Sequence, residues 1–330
     1  MLTPTNKKSI FTKKLTMHIL FHKLPFAVLL LCLSCCASIK QQDEANHEQL
    51  LKDVQTLSSD VYEGRRTGTP GGKKARDYIL KRFEQLGLAS FSTDSAYLQA
   101  FTFTTREGQS IRGTNVIGYI KGKMKESLII SAHYDHLGIK NGQVYNGADD
   151  NASGTAALLY LAEYYSKHQP NFTLVFTAFD AEEMGLRGAK AFVTHPPLPI
   201  GDIQLNINMD MIAHNDKGEL YACGTYYYPE LKPYITSKNP ELKLLLGHDD
   251  PKAGHDDWTN QSDQGAFHAK NIPFIYFGVE DHKDYHQATD DFENINPKFY
   301  IQATDAILGV IENIDQRLSS SVQAKKNKKM

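Results

Sequence analysis

The sequence predicts an α/β protein, a three-layer α/β/α sandwich around a mixed, mostly parallel sheet. Two observations carry this. Short apolar runs of strand length (SLIISAH, FTLVFTAFD, IQLNINMDMI, IPFIYFG) alternate with longer stretches of helical periodicity. Strands that are apolar on both faces need covering on both. Acids and imidazoles then follow directly on these runs, at the strand ends where open α/β sheets place their ligands. The composition agrees. With 330 residues, a formal net charge of −2 and 41% hydrophobic content, the chain is neither disordered nor fibrous, and its charge gives no reason to expect a nucleic-acid partner.

Taken in order, the first 36 residues are not part of the fold. Lys7, Lys8, Lys13, Lys14 and Lys23 flank the apolar run LPFAVLLLCLSCC, and polar residues follow. This is a signal peptide, too short to span as an ordinary transmembrane helix, and Met17 begins a segment that is a complete signal on its own. LCLSCC is similar to a bacterial lipobox. Cys35 has Ser34 before it and Cys36 has Leu33 at the apolar position, so either is the lipidation site. The expectation is an exported protein of the bacterial periplasm or cell envelope, lipid-anchored, with no other membrane contact. A linker over 37–47, a single domain over 48–318 and a basic disordered tail over 319–330 complete the organisation.

Within the body, Ala75, Tyr78, Ile79, Phe83 and Leu86 recur at helical spacing and stop at Gly87. TNVIGYI and SLIISAH predict strands. GTAALLYLAEYYSKH predicts an amphipathic helix, entered from the polar GADDNAS loop with Ser153 as its cap. FTLVFTAFD, IQLNINMDMI and IPFIYFG predict further strands, and PKFYIQATDAILGVIENI a closing helix.

Only Cys223 lies in the body, so no intrachain disulfide and no cysteine-based zinc cluster can form there. A metal site must use His, Asp and Glu. His133 follows the strand SLIISA, Glu182 and Glu183 follow FTLVFTAFDA, Asp210 follows LNINM, and Tyr285 and His286 lie one loop past IPFIYFG. Asp149 and Asp150 stand in the loop that joins the first of these strands to its helix. Singly, each has a plain structural reading: a polar loop, a turn, a solvated acid pair. Asp210, between two methionines in an apolar run, is the most telling, because a carboxylate there is costly to bury unless it is paired or binds a metal. Together they supply ligands for two zinc ions: Asp150 as bridge, Glu183 with His286 on one metal, Asp210 with His133 on the other. A bridging hydroxide would balance the charge and act as nucleophile, with Glu182 free to move its proton.

These motifs resemble the co-catalytic zinc aminopeptidases of the MH clan, peptidase family M28, which share the zinc-dependent exopeptidase fold. The likeness runs from LSSDVYEGRRTGTPGGKKARDYI through NVIGYIKG, SAHYDHLG, YNGADDNASGTAALLYLAE, FDAEEMGLRGAKAF, NMDMI and SDQGAFHAKNIPFIYFG to YHQATDD. It implies the same ligands, His133, Asp150, Glu183, Asp210 and His286, and Glu182 as general base. It further implies Asp135 as the carboxylate that orients His133 and Tyr285 as an oxyanion donor. Asp263 either lines the substrate end or caps a loop, and His136 is either a supporting partner or exposed. The stretch between FTFTTREG and TNVIGYI is too short for the protease-associated insert of some relatives, and the loop from Cys223 to Asp263, with the only Trp, Trp258, is expected to shape the specificity pocket. The expected activity is removal of amino-terminal residues from peptides. A carboxypeptidase, a glutaminyl cyclase with one zinc, and a non-catalytic binder on the same fold remain open.

Overall fold

The computed structural model describes Met1, residues 46–92 and residues 97–327. The expected signal segment, Cys35 and Cys36, most of the linker and residues 328–330 lie outside the described residues. The chain divides into two units, Met1–His47 and Glu48–Met330, and the fold described below is that of the second.

Helix α1 (46–57) already begins inside the stretch expected as linker. Helix α2 (Pro70–Gln85) starts where Thr69 accepts a hydrogen bond from the Gly72 amide, with Pro70 at the first turn, and it stops before Gly87 at φ 68°. Strands β1 (Leu98–Thr104) and β2 (Ser110–Ile120) form an antiparallel hairpin paired from Leu98↔Val116 to Thr104↔Ser110. The chain passes directly from one to the other, with no inserted domain between them. After β3 (Ser127–His133) comes a small ribbon, β4 (Gly138–Lys140) with β5 (Gln143–Tyr145), then α3 (Gly154–Lys167), β6 (Thr173–Phe179), α4 (Arg187–Thr194) and β7 (Ile203–Met209). Strands β8 (Glu219–Cys223) and β9 (Lys243–Leu246), helix α5 (Gln264–His268), β10 (Phe274–Gly278) and α6 (Pro297–Asn327) complete the order.

The main sheet has the order β1-β2-β6-β3-β7-β10-β8-β9. Its four central strands β6, β3, β7 and β10 are mutually parallel, and antiparallel pairings join β2 and β8 to either side of them. The alternation of β3 explains the layers. Leu128, Ile130 and Ala132 face a core shared with α1, α2, α3 and α6, whereas Ile129 faces a second core with Ala189, Phe192 and Val193 of α4 and Ala266 and Phe267 of α5. The predicted three-layer sandwich is the observed one. Strands β8 and β9 had no sequence signal; they are short and sit at one side of the sheet.

Two expectations are corrected. Ser153 does not cap α3: its hydroxyl donates to the Asp149 carbonyl, and Asn151 Oδ1 accepts from the Gly154 amide instead. Residues 319–327, expected as disordered tail, continue α6. Leu318 and Val322 extend the apolar stripe of Ile314 at four-residue spacing and pack on the same core, which outweighs the polar composition around them. No helix of the described residues is long and apolar enough to cross a membrane.

Candidate metal centre

Because β3, β6 and β7 run parallel, their carboxyl ends meet on one edge. His133 is the last residue of β3, Asp210 directly follows β7, and Glu182 and Glu183 lie in the turn after β6. Asp149 and Asp150 are delivered by the turn into α3. Their amides donate to the Asp290 carboxylate at 2.9 and 3.0 Å, which fixes the turn. Gly147, at φ 56°, makes the entry to this turn: a Cβ there would overlap the Asp150 carbonyl and the His136 ring.

Asp150 sits between two groups of potential ligands. Its Oδ1 is 3.4 Å from His133 Nε2, which is itself 3.2 Å from Asp210 Oδ1. Its Oδ2 is 3.1 Å from His286 Nε2, and that nitrogen is 3.5 Å from Glu183 Oε2. His136 completes the second group, with Nδ1 3.0 Å from Glu183 Oε1 and 3.6 Å from Asp150 Oδ2. The five residues predicted as ligands therefore converge. His136 is fully buried rather than exposed, and among the described residues neither of its ring nitrogens nor Glu183 Oε1 makes a hydrogen bond of acceptable geometry, despite the short His136–Glu183 approach. Such buried donor atoms, all nitrogen or carboxylate oxygen, suit a zinc-class cation.

The electrostatics point the same way. Although burial works against protonation of both imidazoles, Asp210 and Glu182 pull His133 well above its ordinary pKa, and Asp150 and Glu183 raise His286 to about 10. Positive charge is strongly favoured at both points. Burial pushes Glu182 well above the usual carboxylate range, and the Asp210 and Asp263 carboxylates add to it. Glu182 lines the cavity over the centre without belonging to either ligand group.

The contacts of Asp135 differ in part from the expectation. Its backbone carbonyl is the near partner of His133 Nδ1, at 3.1 Å, while its carboxylate is 3.7 Å away. That carboxylate accepts from the Glu182 amide at 2.9 Å and the Glu183 amide at 3.4 Å, so it also holds the acid pair in place. Tyr285 stacks on His286 with ring centroids 4.0 Å apart and borders the cavity. Trp258, in the loop expected to shape the pocket, borders it too. Asp263 meets neither expectation: it is fully buried, outside the cavity lining, and its carboxylate makes no capping hydrogen bond to α5.

Arg65 was missed altogether. It is fully buried, and its guanidinium donates to the carbonyls of Leu57, Tyr134, Asn146 and Gly147. Burial lowers its pKa to about 10, leaving it charged beside Asp150 and Asp290. The one sequence signal was the run EGRRTG, whose role rests on carbonyls remote in the chain.

A profile of peptidase family M28 matches residues 115–311, a span that contains every residue of both ligand groups. The chain belongs to peptidase family M28. This M28 chain is 30% identical over 206 residues to the alkaline phosphatase isozyme conversion protein of Escherichia coli, covering 57% of each. It is 26% identical over 239 residues to a vacuolar membrane protease of Schizosaccharomyces pombe, covering 67% of this chain and 26% of that one. The chain thus spans a little over half the length of the first of these relatives and about a quarter of the second. Among solved structures, BSAP, a zinc aminopeptidase from Bacillus subtilis, superposes with a TM-score of 0.65 at 18% identity, covering 82% of this chain and 96% of that one. A Zn-dependent exopeptidase from Parabacteroides distasonis gives 0.64 at 18% identity, covering 81% and 98%. Likeness at this identity establishes the shared fold.

Proposed function

We propose that this M28 chain is an exopeptidase with two zinc ions that removes amino-terminal residues from peptides. The observation that carries the reading is Asp150 shared between two histidine–carboxylate groups, with the spare acid Glu182 beside them. His133, Asp150 and Asp210 would hold one ion, and Asp150, Glu183 and His286 the other, with His136 facing the same point. Zinc held there would supply Lewis-acid polarisation of the scissile carbonyl and a lowered pKa for water. Glu182 would take a proton from the attacking water and return it to the departing amine. Tyr285, at the cavity wall, donates a hydrogen bond to the oxygen that gains charge.

Size and charge support cutting at an amino terminus. The cavity is ≈ 80 Å³, well below the several hundred Å³ usual for larger ligands, which suits one terminal residue. Among the described residues its lining holds Asp281 and no Lys or Arg, which suits an ammonium group rather than a terminal carboxylate. The zinc aminopeptidase activity named for the Bacillus subtilis structure agrees. Aminoacyl anilides and their acyl-blocked forms, assayed with and without chelator alongside zinc analysis, test the reading. Chelator-sensitive cleavage of free-amine substrates alone is expected. Cleavage of blocked substrates, or one zinc with cyclisation of amino-terminal Gln, would refute it. Export with a lipid on Cys35 or Cys36 belongs to the same proposal, and mass spectrometry of the mature amino terminus checks it.

A further inference from the structure

Three more potential ligands converge beside this centre, and no role has been assigned to them. His214 lies on the loop after β7, and His282 and Asp284 lie on the loop after β10. One donor atom from each falls within 4.8 Å of the others. The loops are fixed by backbone hydrogen bonds from the Val279 amide to the Met211 carbonyl and from the Asn296 amide to the Ala213 carbonyl.

Two of these atoms are buried and unpaired. Among the described residues, His214 Nδ1 and Asp284 Oδ2 have no hydrogen-bond partner, and Asp284 is only 4% exposed. The other carboxylate oxygen of Asp284 is taken by the Thr289 hydroxyl at 2.7 Å, so the free one is held towards His214. The two atoms stand 3.8 Å apart. That is too long for a hydrogen bond. It is close to the roughly 3.3 Å edge of a tetrahedron with ligand bonds of about 2.0–2.1 Å. Leaving both atoms unpaired costs free energy that a shared cation would recover.

His282 supplies the third donor in a defined form. Its Nε2 is 3.0 Å from Asp149 Oδ2. A carboxylate only accepts, so Nε2 carries a proton and, in the neutral ring, Nδ1 keeps its lone pair. A carboxylate behind an imidazole in this way is the usual support of a metal-bound histidine. Among the described residues, the one competitor for Nδ1 is the Asp284 amide, at a long 3.3 Å. The His214 and His282 rings stack with centroids 3.9 Å apart and planes 23° from parallel.

We propose that His214, His282 and Asp284 form a third cation site, selective for a zinc-class divalent metal by its nitrogen-rich donor set. Asp149 connects it to the centre already described. It accepts from His282 and from the Ala213 amide, and the next residue is the shared Asp150. A cation there would hold the turn that presents Asp150. The site does not depend on what the Asp150 centre binds, so the test reads a difference.

Wild type and His214→Gln are dialysed to equilibrium against buffered zinc, and zinc per chain is measured by mass spectrometry. Wild type is expected to hold one equivalent more than the variant, whatever the total. Equal counts would overturn the site. Should the variant not fold, anomalous maps of zinc-grown wild-type crystals decide. A peak between His214, His282 and Asp284 upholds the site and none there overturns it. Failure of the two-zinc reading would show instead at Asp150.

Discussion

Replacing Arg65 by Met tests how the turn around the metal centre is held. The methionine keeps most of the volume and removes every donor. Four carbonyls, those of Leu57, Tyr134, Asn146 and Gly147, then lose their partner in a buried site. Each orphaned carbonyl costs about 1 kcal/mol or more. Relief of the buried charge offsets part of this, and breaking a buried charged network by removing one partner generally costs ~3–5 kcal/mol in total. Against a domain stability of about 5–15 kcal/mol, urea unfolding followed by circular dichroism should show a large fall in midpoint with little change in slope. Arg65→Lys, which keeps the charge but not the planar fork, should recover only part of the loss. A loss under about 1 kcal/mol in the methionine variant would mean that the carbonyls find other donors and that Arg65 is not what ties 146–147 to 57 and 134.

Glu182→Gln should retain its zinc and lose ~10²–10⁴-fold in kcat, the usual worth of a positioned acid–base group; full activity in a steady-state assay would remove Glu182 from its role. Asp263 is buried with both oxygens unpaired among the described residues, and burial raises its pKa to about 8. Because the folded value lies above the unfolded one, its contribution to stability is intact in acid and falls as pH rises from about 4 to about 8, by up to ~1.4 kcal/mol per unit. Asp263→Asn should therefore gain on wild type across that window in denaturation series, and parallel pH curves would contradict this. Thr69→Ala removes the hydroxyl that accepts from the Gly72 amide and should cost about 1 kcal/mol in urea unfolding. Removing metal with a chelator should lower the melting temperature and restore it on zinc addition, since ligand bound only by the folded state stabilises it by about 4 kcal/mol at a thousandfold excess over Kd.

Much of this molecule is legible in its sequence because the signals are local. The spacing of Ala75, Ile79 and Phe83 gives α2, and the apolar runs give β3, β6, β7 and β10, since each reflects one element's own periodicity against a core. Residues 319–327 were misjudged because their composition is polar, while the few apolar side chains that matter, Leu318 and Val322, gain their value only from the core beneath them. Ser153 was misjudged as a cap because the hydrogen bond that decides it, from the Gly154 amide to Asn151, depends on the path of an irregular turn held by Asp290.

The metal centre divides in the same way. The sequence by itself determined which donors exist and that they follow strand ends, because the nature of a ligand is a property of one residue and strand ends are set by local pattern. Only the tertiary structure decided which donors share a point. His136 joins Asp150 and Glu183, and Arg65 and Asp290 hold the turn that carries Asp150, because their partners lie far along the chain and meet only when the parallel strands and their loops are packed together.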